Sequence, residues 1–171
     1  PNIKSMIEAA STLTSEKAVA LFEKFGIFTK AELESREEVL YEIYAKTINI
    51  EALTMVDMAS KEIIPAVIKY SKSLADSVLA VKEAGADAEV QTELLKEVSA
   101  KLTEMKTALA KLEEVEAKAA AMENAKDQAF YYKDVVKAAM DALRKPADEL
   151  EMIVDKKVWP FPTYADLMFE V

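Results

Sequence analysis

Cysteine and histidine are absent from all 171 residues. With no thiolate and no imidazole there is no Cys nucleophile, no Ser-His-Asp relay, and no ordinary zinc or His-carboxylate di-iron site. A disulfide framework is excluded too, which suits a reducing cytoplasm. Glycine occurs only twice, as Gly26 after "ALFEKF" and Gly85 after "LAVKEA". Each stands where a left-handed C′ residue ends a helix, which leaves no glycine for a phosphate-cradling loop or a dinucleotide fingerprint. Basic residues number 22 against 31 acidic ones, a net charge of −9. That balance disfavours nucleic acid and anionic membranes as partners, because both select clustered Lys and Arg. No apolar run approaches the ~20 residues of a spanning helix.

What is present is helical. Hydrophobic residues make up 51% and charged residues 31%, which excludes a disordered chain and fits a folded one with a real core. At this length one domain is expected over residues 1–171. Its parts are a lead-in with a short helix (1–28), a long-helix bundle (29–157) and a tail (158–171). The chain opens on Pro1 and not Met, so a fragment of something longer is expected.

After a weakly helical start, "TSEKAVALFEKFG" reads as a short helix from about Ser15 to Phe25. Thr29 with Glu32 makes a capping box, and Phe28 with Leu33 a hydrophobic staple. No convincing stop follows before Ala84, so a helix of about 55 residues is expected, kinked at Pro65. Asp87 is the expected N-cap of a second long helix. Its apolar positions Leu94, Val98, Leu102, Met105, Leu109, Leu112, Val115, Ala119 and Met122 advance in steps of three and four, a coiled-coil-like seam. A turn in "MENAKDQ" precedes a third helical period through Tyr132, Val136, Leu143, Leu150 and Val154, where Pro146 either kinks the helix or starts a new one. Strand signals are almost absent. The expected fold is all-α: an antiparallel bundle of three long helices, a short N-terminal helix and an irregular Pro/aromatic C-terminal tail. The second and third helices cannot cover the whole first one, so Leu33, Leu40, Ile43 and Ile50 are expected to lack cover except from the helix carrying Leu21 and Phe22.

Several groupings invite a chemical reading, and each has a structural one. Glu113, Glu114 and Glu116 could hold a hard cation, yet without an oxygen-rich loop they read as a solvated face. Tyr41, Tyr44, Tyr131 and Tyr132 could line a ligand site, or simply pack as core. Arg36 and Arg144, the two arginines, read as ion-pair partners before anion anchors. Met55, Met58, Met105, Met140 and Met152 read as core filling before a plastic groove.

The tail "VWPFPTYADLMFEV" is different. Pro160 and Pro162 forbid a helix through them, while large apolar groups crowd into a terminus that is normally polar and frayed. Such a segment must dock, on its own bundle or on a neighbouring domain or subunit. The expected docking residues are Trp159, Phe161, Leu167 and Phe169, with Tyr164 finding a polar partner at the edge.

"WPFPTYADLMFEV" also resembles the C-terminal signature of type III glutamine synthetases. Three further stretches agree in the family's order: "SEKAVALFEKFGIFTKAELESR", "KTINIEALTMVDMASKEIIPAVIKY" and "AMDALRKPADELEMIVDKK". The resemblance implies a parent that joins glutamate and ammonia using ATP and divalent metal, Mg or Mn, in a dodecameric homo-oligomer. The implied partners are an upstream catalytic domain and other subunits. The family's catalytic motifs have no counterpart here, so no catalytic, cofactor-binding or metal-binding residue is carried over. The chain is expected to be a non-catalytic C-terminal domain with a structural, assembly or regulatory role. The alternative is a free-standing helical adaptor.

Overall fold

The computed structural model describes residue 3, residues 5–162 and residues 164–169. Among these residues the secondary structure is helix and turn, with no strand. In chain order the helices are α1 (Met6–Ala10), α2 (Glu16–Lys24), α3 (Lys30–Met58), α4 (Ile64–Glu83), α5 (Glu89–Ala120), α6 (Ala125–Tyr131), α7 (Lys137–Ile153) and α8 (Tyr164–Phe169). Single π-helical turns join α3 to α4 (Ala59–Ile63) and α6 to α7 (Tyr132–Val136).

The helix ends follow the side chains that satisfy them. The Thr29 N–H donates to Glu32 Oε2 at 2.7 Å, and the Glu32 N–H donates to Thr29 Oγ1 at 3.4 Å, which is the reciprocal pair of a capping box at the start of α3. Ser5, Ser15 and Asn124 accept from the N–H three residues on, at the starts of α1, α2 and α6. Ala88 precedes α5, but the Asp87 carboxylate still accepts the Glu89 N–H at 3.1 Å. Gly26 and Gly85 have φ of 61° and 79°. After Gly26 the Ile27 N–H reaches the Phe22 carbonyl, and after Gly85 the Ala86 N–H reaches that of Val81. In both places the left-handed residue turns an orphan N–H back onto the last helical turn.

The expected kink at Pro65 takes a specific form. A proline in an α-helix drives its ring against the carbonyl four residues back. Here the preceding turn widens, and the Ile64 N–H bonds the Ala59 carbonyl five residues back. Helical structure thus continues from Lys30 to Glu83 without a break. Pro146 neither starts nor ends a helix and lies buried inside α7.

The chain forms two compact units, residues 1–53 with 114–138 and residues 54–113 with 139–171. In the first unit, Ile7 and Ala10 of α1 pack with Tyr41 and Ala129, flanked by Leu40, Tyr44, Ala125 and Phe130. The weakly helical start is therefore a core element. The expected gap in cover changes with it: Leu33 is buried, Leu40 is half-buried, and Ile43 and Ile50 remain exposed. Leu21 is exposed, while Phe22 meets Phe28 with ring centroids 5.6 Å apart. In the second unit, Val67, Val98, Met105, Leu109 and Leu112 are fully buried, together with Leu143 and Leu150. Val67 comes from α4, while Val98 to Leu112 are the α5 seam and Leu143 and Leu150 the α7 stripe that the period of the sequence marks.

Candidate functional site

The second unit holds an apolar cavity of about 420 Å³. Met55, Met58, Ala59 and Ile63 bring one wall from the end of α3 and the π-helical turn, and Met105 comes from α5. Leu143, Arg144, Ala147, Asp148 and Glu151 come from α7. The tail supplies Trp159, Phe161, Pro162 and Leu167. Its path is set at Asp155, whose carbonyl accepts from the N–H groups of Val158 at 2.8 Å and Trp159 at 3.0 Å, while its carboxylate accepts the Lys157 N–H at 2.9 Å. Lys156 pairs with Asp166 across the tail.

Of the expected docking residues, Trp159 and Phe161 are half-buried at this cavity, and Leu167 also lines it although 68% exposed. Phe169 is 78% exposed. The side chain of Tyr164 lies outside the described residues. At the rim, Arg144 Nε donates to Asp148 Oδ2 at 3.2 Å. Glu151 is half-buried and makes no hydrogen bond or ion pair among the described residues. The methionines divide: Met55, Met58 and Met105 line the cavity, Met140 is buried, and Met152 is 83% exposed and so does not fill the core. Its position at the end of α7 turns it out of the stripe to which Leu150 and Val154 belong.

The first unit has a polar focus instead. Glu37 is its buried charged residue, with Tyr41 donating to Oε1 at 2.5 Å and Thr14 donating to Oε2 at 2.6 Å. Lys126 Nζ stands 3.9 Å from Oε1. Burial, and then the Glu37 carboxylate, hold the Tyr41 hydroxyl well above the usual tyrosine range. Burial likewise raises Tyr44 and Tyr132. Tyr41 and Tyr132 are buried packing groups. Arg36 stacks 4.3 Å above the Phe28 ring, and Glu114 pairs with Lys118 on an exposed face, where Glu113 is also exposed.

Sequence reasoning did not single out Glu37 or Glu151. Both had a legible signal. Glu37 lies one turn before Tyr41, and Glu151 follows Leu143 and Ala147 at four-residue steps, a carboxylate on an apolar stripe. Thr14 had none, because its role depends on how the segment between α1 and α2 folds back.

No group of three or more His, Cys, Asp or Glu among the described residues is placed to hold a metal ion, and both glycines are spent on helix ends. No helix among them is long and apolar enough to cross a membrane.

Residues 1–82 match the family model for the glutamine synthetase C-terminal domain. Over the full length, the chain is 37% identical to a glutamine synthetase of Butyrivibrio fibrisolvens across 173 aligned positions. It is 30% identical to a glutamine synthetase of Bacteroides fragilis and 32% identical to a type-3 glutamine synthetase of Dictyostelium discoideum, each over 98% of the chain. It spans about a quarter of the length of these relatives, 25%, 24% and 24%. The four stretches that resembled type III enzymes are therefore part of a likeness that runs from end to end, and over residues 1–82 the chain belongs with the glutamine synthetase C-terminal domain family.

Proposed function

We propose that this chain is a non-catalytic helical domain of a type III glutamine synthetase, serving the assembly of the parent enzyme. The observation that carries the reading is a mismatch of scale and chemistry. The whole chain aligns with a quarter of proteins named glutamine synthetase, yet it has no histidine, two glycines committed to helix ends and no metal-holding cluster among its described residues. Ligation of ammonia to glutamate with ATP requires nucleotide phosphates and metal held in fixed geometry, and that work falls to the remainder of the parent. The parent's ATP, its Mg or Mn, the other subunits of a homo-oligomer and a cytoplasmic setting belong to this proposal.

The exposed apolar face of α3 supports an assembly role. Val39, Ile43, Ile50 and Leu53 are each about half exposed or more, at 50%, 51%, 66% and 48%, and recur at helical spacing on one stripe. The test removes the segment corresponding to this chain from a full-length relative and measures oligomeric state and glutamine formation, alongside an assay of the isolated chain. The expected result is a smaller oligomer with impaired activity, and no ATP-dependent glutamine formation by the chain alone. A truncated enzyme that assembles and turns over normally, or an active isolated chain, refutes the proposal.

A further inference from the structure

We propose that the cavity of the second unit is a binding site for a small amphipathic cation, an aryl- or alkylammonium. Its hydrocarbon body lies among Met55, Met58, Met105 and Leu143 and its charged head meets Glu151. The inference does not rest on the parent's activity. A volume of about 420 Å³ falls within the range of roughly 300 to 1,000 Å³ typical of small-molecule sites, which are mostly apolar with a few placed polar groups. Methionine sulfurs adapt to ligand shape, and the faces of Trp159 and Phe161 attract positive charge.

The sign of the ligand follows from the rim. Arg144 and Asp148 are engaged with each other at 3.2 Å, so the guanidinium is already committed to a carboxylate. Glu151 is half-buried beside apolar walls with no partner among the described residues. An unpaired carboxylate in such surroundings loses hydration without compensation. An ammonium restores it, whereas an anion meets two carboxylates against one engaged guanidinium, in a chain of net charge −9.

Trp159 is the single tryptophan and lines the cavity, so its fluorescence reports occupancy. The 171-residue chain is titrated with phenethylammonium, with 3-phenylpropionate as the anion of similar size and with 2-phenylethanol as the neutral counterpart, and melting temperature is followed in parallel. Phenethylammonium is expected to give a saturable emission change and a rise in melting temperature, with 3-phenylpropionate at least about tenfold weaker. Glu151→Gln, a near-isosteric change at a half-buried site, is expected to abolish the preference for the cation while leaving 2-phenylethanol binding unchanged. Ala147→Trp, which fills the space, is expected to abolish binding of all three. Equal binding of cation and anion, a preference that survives Glu151→Gln, or no saturable change with any of the three overturns the proposal.

Discussion

In the first unit the buried carboxylate of Glu37 receives two hydroxyl hydrogen bonds, from Thr14 and Tyr41. In the second, the half-buried carboxylate of Glu151 borders an apolar cavity and has no such partner among the described residues. The two groups are chemically alike and both sit on helices, so the difference lies in what the neighbouring segments bring. At Glu37 the segment after α1 supplies a short polar side chain that closes the site. At Glu151 the tail supplies Trp159, Phe161 and Leu167, which cover apolar surface, and no described residue donates to the carboxylate. A satisfied buried charge fixes one arrangement of its neighbours, whereas an unsatisfied one beside a void leaves a place for something else.

The sharpest way to break this contrast is to remove the satisfied carboxylate. Glu37→Leu leaves the Tyr41 and Thr14 hydroxyls without their acceptor. An orphaned buried polar group costs about 1 to 3 kcal/mol, and the variant is expected to lose about 2 to 4 kcal/mol in a urea titration. Adding Tyr41→Phe and Thr14→Val, which removes the stranded hydroxyls, should recover part of that loss. A triple variant no more stable than Glu37→Leu would show that Glu37 acts through packing alone.

The tail is the next lever, since it is what the second unit has in place of Thr14. Deleting residues from Val158 onward exposes the apolar wall it covers and removes the half-buried Trp159 and Phe161. Each fully buried large apolar side chain contributes ~1.5 to 3 kcal/mol, and ordering a residue costs on the order of 1 to 2. With two anchors half-buried and proline reducing the entropy to be lost, a net loss of about 1 to 3 kcal/mol is expected. For a chain of this size that is a fall of roughly 3 to 10 °C in melting temperature. An unchanged melting temperature would mean that the tail docks elsewhere in the parent.

A smaller change tests the void itself. Ala147→Met places a flexible apolar side chain in the cavity, and filling changes of this kind commonly add about 0.5 to 2 kcal/mol. The expectation is a modest rise in stability measured by chemical denaturation, near 1 kcal/mol. A loss would show that the walls are too rigid to accept the extra volume.

Much of this architecture was legible in the sequence because its cause was local. The capping box at Thr29 and Glu32, the two left-handed glycines and the seam from Val98 to Ala119 are written in residues a turn or two apart, and they appear where the pattern puts them. Pro65 announced a disturbance but not its form, because a proline inside a helix can break it, bend it or widen one turn. The π-helical turn at Tyr132–Val136 carries no proline or glycine, and nothing in its sequence marks it. The role of α1 was missed because five residues have little periodicity to read, and its helix is held by the burial of Ile7 and Ala10 against Tyr41 and Ala129. Of the cavity, the tail residues were visible as apolar groups out of place, while the wall from α3 and α7 required knowing which helical faces meet.

The smallest effect concerns charges at or near the surface, which should leave the contrast between the units intact. In the second unit Lys101 Nζ lies 2.7 Å from Glu149 Oε2, and this contact lowers the Glu149 carboxyl below its ordinary value and, with Glu104 as the second partner, raises Lys101. In the first unit the Thr29 N–H, followed by its hydroxyl, lowers Glu32. For a carboxyl depressed in the folded state, the unfolded chain binds more protons, so the stabilisation is present above the ordinary value near 4.5 and is lost as pH falls through the folded one. For Lys101 the sign reverses: the stabilisation is present below about 10.5 and is lost as pH rises through the higher folded value. Stability should therefore be flat between these limits and soften at both ends. Glu149→Gln should remove part of the acid and alkaline dependence together, because it takes a partner from Lys101, whereas Glu32→Gln should affect only the acid side. Melting temperatures of the three proteins from pH 3 to 11 decide the matter. If Glu149→Gln leaves the alkaline limb unchanged, the Lys101–Glu149 contact contributes nothing measurable, as is common for exposed ion pairs.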